Sequence, residues 1–279
     1  MMKKACVIGY PIAHSRSPLI HNHWLKTYGI EGLYEKCPVE PEKLGEFLST
    51  LTANGYVGCN VTIPHKETAI SFVDSVDTIV KKTGSLNTIY LEDSVLKATS
   101  TDGEGFYQNL LTSVPGLDLS GKSVLVLGAG GSARAVIERL LRANVAYIHI
   151  VNRTQARSEE LALLFGPKVI PSPTSQLAVL MQTTDLFVNT TSQGMQGQPA
   201  LEIDLTPLPA SAIVADLIYV PLKTHLLQAA EARGLKAVGG LGMLLHQAVV
   251  GFEKWFGVKP VVTDELYRLI ARDIDPDFR

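Results

Sequence analysis

Short apolar runs and longer amphipathic segments alternate along the whole chain. A short apolar run bounded by glycine, proline or polar residues is typical of a buried strand, whereas apolar residues at helical spacing are typical of a helix. The chain contains no internal repeat and no low-complexity tract. This alternation predicts an α/β protein.

The predicted strands cover 5–9, 33–37, 56–63, 86–91, 95–99, 123–127, 146–151, 168–170, 185–189 and 212–216. The predicted helices cover 18–28, 41–54, 103–113, the segment after residue 131, 155–165, 222–233, 243–256 and 264–273, with shorter helical segments before residue 82.

The start of the first helix and the division of the chain follow from local signals. Ser17 is expected to be the N-cap of that helix, with Pro18 as its first residue. A turn-rich segment at 115–121 follows the helix predicted from residue 103. The sequence therefore predicts a first α/β domain over 1–102 and a second over 103–240.

The bulk composition fits two domains of ordinary size, with 279 residues of which 46% are hydrophobic. A net charge of -2 argues against a nucleic-acid partner or an anionic membrane surface. No apolar run has the length of a membrane span, and the run that ends at Gly9 is too short for a signal-peptide core, so we expect a cytoplasmic location. Cys6, Cys37 and Cys59 form no C-x-x-C pair, so we expect buried free thiols and no metal site.

A glycine turn follows the apolar run at 123–127. Gly128, Gly130 and Ala133 occupy the three fixed positions of G-x-G-x-x-G/A, where small residues permit a tight turn, a close approach to a pyrophosphate and close helix packing. A glycine turn without a ligand is the alternative. Because strand, turn, helix and second strand occur in the expected order, the sequence favours a dinucleotide site.

The residues that follow the strand predicted at 146–151 indicate which dinucleotide binds. A carboxylate there would accept hydrogen bonds from the ribose 2'-hydroxyl of NAD, but the chain has Asn152, Arg153 and Thr154. A guanidinium pairs with a 2'-phosphate. The sequence therefore predicts NADP, selected by Arg153, while Arg134 and Arg157 are interpreted as solvated helix residues.

Polar residues cluster near the ends of the strands predicted in the first domain. Ser15 and Ser17 lie at a helix start, where an anion such as a carboxylate is favoured; N-capping would explain only Ser17. Lys66 follows the strand that ends with Asn60 and Thr62, and by itself it is most simply a solvated surface charge.

Two further polar stretches begin and end strands in this domain. Asn87 and Thr88 begin one strand, and Asp102 follows another at the start of a helix, where N-capping is the simple interpretation.

Together these stretches resemble the shikimate dehydrogenase family along essentially the whole chain. The family motifs S-x-S-P-x-x-H-N, N-V-T-x-P-x-K, G-A-x-N-T, T-D-G, G-A-G-G, N-R-T, N-x-T-x-x-G-M, D-x-x-Y-x-P and G-x-G-M-L-x-x-Q correspond to 15–22, 60–66, 84–88, 101–103, 128–131, 152–154, 189–195, 216–221 and 240–247. Ser100, Ser85 and Leu86 depart from residues that the family often has, but none of them is a proposed catalytic group.

The resemblance implies reversible, NADPH-dependent reduction of 3-dehydroshikimate to shikimate, on the route to chorismate and the aromatic amino acids. It implies that Lys66 transfers the proton and that Asp102 holds the lysine amine and bonds the adjacent substrate hydroxyl. It assigns the substrate to Ser15, Ser17, Thr62, Asn87, Tyr219 and Gln247. It assigns the cofactor to Gly128, Ala129, Gly130, Gly131, Ser132, Ala133, Asn152, Arg153, Thr154, Leu217 and Gly240.

The resemblance also implies a Rossmann-type second domain and C-terminal helices, at 241–279, that pack back on the first domain. The implied partner is a small molecule, and monomer and homodimer both stay open. His14, His21, His65 and His246 are interpreted as structural residues.

Two other functions are weighed against this one. A dual quinate/shikimate dehydrogenase would be expected to use NAD and to carry an acidic residue where Arg153 stands. A non-catalytic NADP-binding sensor would be expected to lack Lys66 or Asp102, and both are present.

Overall fold

The computed structural model of the protein describes residues 2–278. The chain divides into two compact units. The first comprises the chain up to Thr101 together with Leu245–Ile270, and the second comprises Asp102–Leu244 with the chain from Ala271 onward. For comparison, the domain boundaries predicted from the sequence lie after residues 102 and 240.

The first unit is built on a six-stranded mixed sheet. Its strands are β1 (Lys3–Gly9), β2 (Gly32–Pro38), β3 (Tyr56–Val61), β4 (Ser75–Val76), β5 (Thr88–Glu92) and β6 (Val95–Thr99), in the order β2-β1-β3-β5-β6-β4. β1 pairs in parallel with β2 and β3, and β5 is antiparallel to β3 and β6. Thr88, the first residue of β5, pairs with both Asn60 and Thr99. The ends of β3 and β6 therefore meet the start of β5 at one edge.

The helices of this unit are α1 (Ser17–Thr27), α2 (Leu44–Ser49) and α3 (Thr78–Thr83), with 3-10 turns at Pro41–Lys43 and Thr68–Phe72. One core of the first unit includes Cys6, Cys59 and Leu86. An aromatic cluster includes His21, which stacks on Tyr34 with ring centroids 4.0 Å apart.

The second unit is built on a six-stranded parallel sheet. Its strands are β7 (Ser123–Leu127), β8 (Tyr147–Val151), β9 (Val169–Ser172), β10 (Leu186–Asn189), β11 (Ile213–Asp216) and β12 (Lys236–Val238), in the order β12-β11-β10-β7-β8-β9. The order reverses between β7 and β10, as in doubly wound dinucleotide-binding sheets, where ligands bind beyond the carboxyl ends of the strands.

The helices of the second unit are α4 (Asp102–Ser113), α5 (Gly131–Arg142), α6 (Gln155–Phe165), α7 (Leu177–Met181) and α8 (His225–Ala232), with a 3-10 turn at Thr174–Gln176. Two core clusters, one containing Val126 and Val188 and the other Leu125 and Phe187, follow the alternation of side chains along β7 and β10.

The last two helices, α9 (Leu241–Phe256) and α10 (Asp264–Ile274), contribute residues to both units. Within the first unit, Trp255 Nε1 of α9 donates to the Ile89 carbonyl at 2.9 Å. The two sheets with their helices confirm the predicted α/β class.

Two local predictions are wrong. Ser17 is the first residue of α1 and not its N-cap; the preceding residue is Arg16, whose side chain makes no capping bond. The predicted helix over 41–54 contains α2 only over Leu44–Ser49. The Thr50 hydroxyl bonds the Glu46 carbonyl at 2.9 Å, and such side-chain bonds compete with helical ones.

The three cysteines are free, with Cys6 and Cys59 buried and Cys37 half-buried. Within residues 2–278, no group of three or more histidine, cysteine or acidic side chains could hold a metal ion. Within the same range, every helix is too short or too polar to cross a membrane.

Candidate active site

Two serines lie between β1 and the first turn of α1. Ser15 Oγ donates to Ser17 Oγ at 3.3 Å and accepts from the Ser17 backbone N–H at 3.3 Å. The first turn of α1 contains no acidic side chain. Two hydroxyls at the N-terminus of a helix suit a carboxylate ligand.

Asn60 is buried at the end of β3, where it joins neighbouring strands. Its Oδ1 accepts from the Tyr34 hydroxyl at 2.6 Å, and its Nδ2 donates to the Asn87 carbonyl at 3.0 Å and to Thr88 Oγ1 at 3.2 Å. Burial raises the pKa of Tyr34 well above its usual range, so the hydroxyl keeps the proton that it donates. The orientation of the Asn60 amide is therefore fixed.

Asn87 connects the start of β5 to the end of β6 and to α9. Its Oδ1 accepts from the Thr101 N–H at 2.9 Å, and its Nδ2 donates to Thr101 Oγ1 at 3.0 Å and to Gln247 Oε1 at 3.4 Å. Asn87 and Gln247, predicted as substrate residues 160 positions apart, therefore lie side by side in the first unit.

Lys66 lies on the turn between β3 and the Thr68–Phe72 helix. Its side chain is half-buried, and its backbone carbonyl accepts from the Leu86 N–H at 2.9 Å. This bond holds the lysine beside the residue that precedes Asn87. Thr62, also half-buried, is held to β1 by a bond of 3.0 Å from its N–H to the Ile8 carbonyl.

Asp102 is the first residue of α4 and is half-buried. It directly follows Thr101, whose backbone N–H is held by Asn87. A carboxylate in the first turn of a helix interacts favourably with the helix dipole, so Asp102 has a structural role besides any chemical one.

The glycine turn of the second unit combines one residue required by packing with two that leave open space. Gly128 has φ +104, and a Cβ there would lie 2.6 Å from Thr190 Oγ1. A Cβ on Gly130 or Gly131 would meet nothing within 4 Å. No side chain caps the N-terminus of α5, so its N–H groups suit the pyrophosphate of a dinucleotide.

Arg153 follows the end of β8 and is exposed. The last residue of β8, Val151, accepts at its carbonyl from the Gly128 N–H at 2.8 Å, which joins this strand end to the glycine turn. Asn152 Nδ2 donates to the Thr154 carbonyl at 2.8 Å and orders the same tip. A guanidinium at the strand tip fits a 2'-phosphate.

A buried carboxylate organises the loops after β10 and β11. Asp216 Oδ1 accepts from Asn189 Nδ2 at 3.0 Å and from the Ile218 N–H at 3.2 Å, and Oδ2 accepts from the Thr224 hydroxyl at 2.7 Å. Burial raises the pKa of Asp216. The carboxylate thus holds the loop that carries Leu217.

Gly240 packs so closely against this loop that no side chain fits there. A Cβ there would lie 2.1 Å from the Leu217 carbonyl oxygen, and the Gly240 N–H donates to the Ile218 carbonyl at 3.1 Å. Tyr219, on the same loop, is half-buried. Three predicted site residues, Leu217, Tyr219 and Gly240, therefore share one end of the parallel sheet.

Known proteins match the chain over nearly its whole length. The shikimate dehydrogenase substrate binding domain matches 7–89, the shikimate / quinate 5-dehydrogenase domain 110–196, and the shikimate 5'-dehydrogenase C-terminal domain 240–262. The shikimate dehydrogenase (NADP(+)) of Rhodopseudomonas palustris strain BisB18 is 51% identical over 275 residues, which cover 99% of each chain. The chain belongs to the shikimate dehydrogenase family.

Solved structures are similar as well. Shikimate 5-dehydrogenase from Thermus thermophilus, in complex with NADP(H) and shikimate, has a TM-score of 0.85 and 34% identity, covering 98% of this chain and 100% of that one. Quinate dehydrogenase from Corynebacterium glutamicum, in complex with NAD, has a TM-score of 0.88 and 25% identity, covering 96% and 98%.

The predicted site residues divide between the units. Ser15, Ser17, Thr62, Lys66, Asn87 and Gln247 belong to the first unit; Asp102, Tyr219 and the predicted cofactor residues belong to the second. Sequence reasoning missed the connecting roles of Tyr34, Asn60 and Thr101. Asn60 and Thr101 stand inside motifs that could have indicated them, whereas Tyr34 follows the pattern of an ordinary core aromatic.

Proposed function

We propose that the chain is an NADP-dependent shikimate dehydrogenase that interconverts 3-dehydroshikimate and shikimate on the route to chorismate and the aromatic amino acids. The observation that carries this proposal is 51% identity, over 99% of the chain, to a relative named for this activity. Arg153 and the absence of a carboxylate at the β8 tip support NADP.

When bound, the cofactor supplies or accepts a hydride at the substrate carbon. We propose that the pyrophosphate binds at Gly130, Gly131 and the N-terminus of α5, where the structure leaves open space. Arg153 binds the 2'-phosphate. The remaining proposed cofactor residues are Gly128, Ala129, Ser132, Ala133, Asn152, Thr154, Leu217 and Gly240.

Lys66 is the proposed proton-transfer group. During reduction its ammonium donates one proton to the ketone oxygen, and during oxidation the neutral amine takes that proton from the substrate hydroxyl. Asp102 is the second proposed catalytic residue, a carboxylate that accepts from the adjacent substrate hydroxyl. The position of Lys66 beside Leu86 supports its role, because it brings the lysine close to Asn87.

The remaining polar residues are proposed to bind the substrate. Ser15 and Ser17 bind the carboxylate at the start of α1, and Asn87 and Gln247 bind ring hydroxyls, with Thr62 and Tyr219 completing the set. A substrate that lacks the carboxylate or one of the ring hydroxyls would leave polar side chains of the site without their substrate partners.

We also propose that 1–102 is the substrate-binding domain, that 103–240 is the cofactor domain, and that the C-terminal helices belong with the first. The grouping of Leu245–Ile270 with the chain up to Thr101 supports the last point. We propose a cytoplasmic location for this activity.

The direct test mixes the purified protein with shikimate and NADP+ and follows the formation of reduced nicotinamide. The proposal expects reduced cofactor and 3-dehydroshikimate in equal amounts. Binding of NADP+ without turnover of shikimate would instead favour a non-catalytic sensor.

A further inference from the structure

His65 precedes Lys66 and is almost fully buried, with 1% of its surface exposed. Its ring Nε2 lies 2.7 Å from the backbone carbonyl oxygen of Val39. Because a carbonyl only accepts, Nε2 carries a proton and donates it to Val39. The ring therefore ties the turn after β3 to the residue that follows β2.

Val39 is itself fixed to the sheet. It is buried, and its N–H donates to the Gly9 carbonyl at 3.2 Å, at the end of β1. His65 thus bonds to a backbone carbonyl whose position is fixed by β1 and by the end of β2.

Backbone bonds hold the rest of the turn. The His65 N–H donates to the Thr62 carbonyl at 2.9 Å, and the Leu86 N–H donates to the Lys66 carbonyl at 2.9 Å. The His65 ring bonds the turn to the side of β1 and β2, whereas the Leu86 N–H bonds it to the segment before β5. The turn that carries Lys66 is therefore bonded on one side to Val39, which follows β2, and on the other to Leu86, which precedes β5.

We propose that His65 is a positioning residue for Lys66, which it holds at the sheet edge through its bond to the Val39 carbonyl. The inference rests on the function proposed above, since it requires that Lys66 transfer a proton. Without the bond, a buried carbonyl loses its donor and the turn can shift. A small displacement of the proton donor lowers kcat, while groups on other segments still bind the substrate.

The test compares three substitutions. His65→Phe keeps a ring without a donor, His65→Gln restores an N–H donor, and His65→Asn has a shorter amide that does not reach Val39. We expect His65→Phe and His65→Asn to lower kcat for shikimate oxidation about tenfold or more, with both KM values within about threefold of wild type. We expect His65→Gln to recover most of kcat. We expect the pH profile of kcat to shift in His65→Phe and His65→Asn and to stay as in wild type in His65→Gln.

His149→Phe is the matched control. This half-buried histidine also bonds through its ring, to Ser172 Oγ at 2.9 Å, but it lies on β8 in the second unit. It should keep the wild-type kcat. Circular dichroism at the assay temperature establishes the folded fraction of each variant.

Wild-type kcat in both His65→Phe and His65→Asn would overturn the proposal. So would an equal loss in His65→Gln, or a loss fully explained by the unfolded fraction. Failure of the wild-type protein itself to oxidise shikimate with NADP+ would overturn the proposed function instead, and the two failures are thus distinguishable.

Discussion

Asn87 holds the backbone of Thr101 with a hydrogen bond of 2.9 Å from the Thr101 N–H to Asn87 Oδ1. This bond fixes the residue that immediately precedes Asp102. The segment before Asn87 also holds the Lys66 backbone, through Leu86. Leu86 and Asn87, which precede β5, therefore fix the backbone at Lys66 and at Thr101. The roles proposed for Lys66 and Asp102 can be tested by mutation.

Replacing Lys66 by Ala should lower kcat about a hundredfold or more while shikimate binding changes little, because the proton-transfer group is lost but the binding groups stay. Steady-state kinetics and direct titration with shikimate separate the two effects. Lys82→Ala removes an exposed lysine from the same unit and should match wild type. A weakened affinity with little change in kcat would make Lys66 a binding residue only.

Replacing Arg153 by Ala should raise KM for NADP+ about tenfold or more and leave KM for NAD+ nearly unchanged, because only NADP carries the 2'-phosphate. Lys236→Ala removes an exposed cation from the edge strand β12, which three strands separate from β8 in the sheet, and serves as the control. Parallel increases for both cofactors would show that the phosphate binds elsewhere.

Two glycines of the same turn should respond differently to alanine. Gly128→Ala should destabilise the fold by about 1–3 kcal/mol, because the backbone conformation is left-handed and the new Cβ would crowd Thr190. Gly130→Ala should change stability by less than about 0.5 kcal/mol, because its Cβ would meet nothing within 4 Å. It should weaken NADP+ binding about tenfold or more, because the same Cβ would occupy the space proposed for the pyrophosphate.

Thermal unfolding and NADP+ titration of both variants measure these effects. Unchanged NADP+ affinity in Gly130→Ala would contradict a pyrophosphate site at this turn.

Replacing His21 by Phe should make stability less sensitive to acid. Burial lowers the pKa of His21 to about 3, and both ring nitrogens are buried without a hydrogen bond of normal geometry to residues 2–278. The unfolded chain therefore binds a proton below about pH 6.5 that the folded protein does not accept, so folding stability falls as the pH falls. Between about pH 7 and about pH 5, His21 therefore lowers the free energy of unfolding by about 2 kcal/mol.

Denaturant unfolding at both pH values tests this prediction. The free energy of unfolding of His21→Phe, relative to wild type, should increase by about that amount on acidification. A constant difference would show that His21 takes up its proton over the same pH range in the folded and the unfolded protein.

Much of the second unit could be predicted from the sequence because its strands are short apolar runs with clear boundaries. The helix predicted over 155–165 has those bounds in the structure, and β8 begins one residue later than predicted. The two-residue strand β4 and the three-residue strand β12 were missed, since neither is long enough to produce a periodic pattern.

The candidate site was harder to predict than the fold. The proximity of Gln247 to Asn87 depends on how α9 packs, which periodicity does not determine; only the family resemblance indicated it. The bond from Tyr34 to Asn60 crosses strands that are distant in sequence, so no local pattern marks it.

Steady-state measurements that pair shikimate or quinate with NADP+ or NAD+ test the proposed substrate and cofactor together. We expect the highest kcat/KM for shikimate with NADP+, about tenfold or more above each of the other three pairs. Quinate with NAD+ turning over as efficiently as shikimate with NADP+ would contradict it.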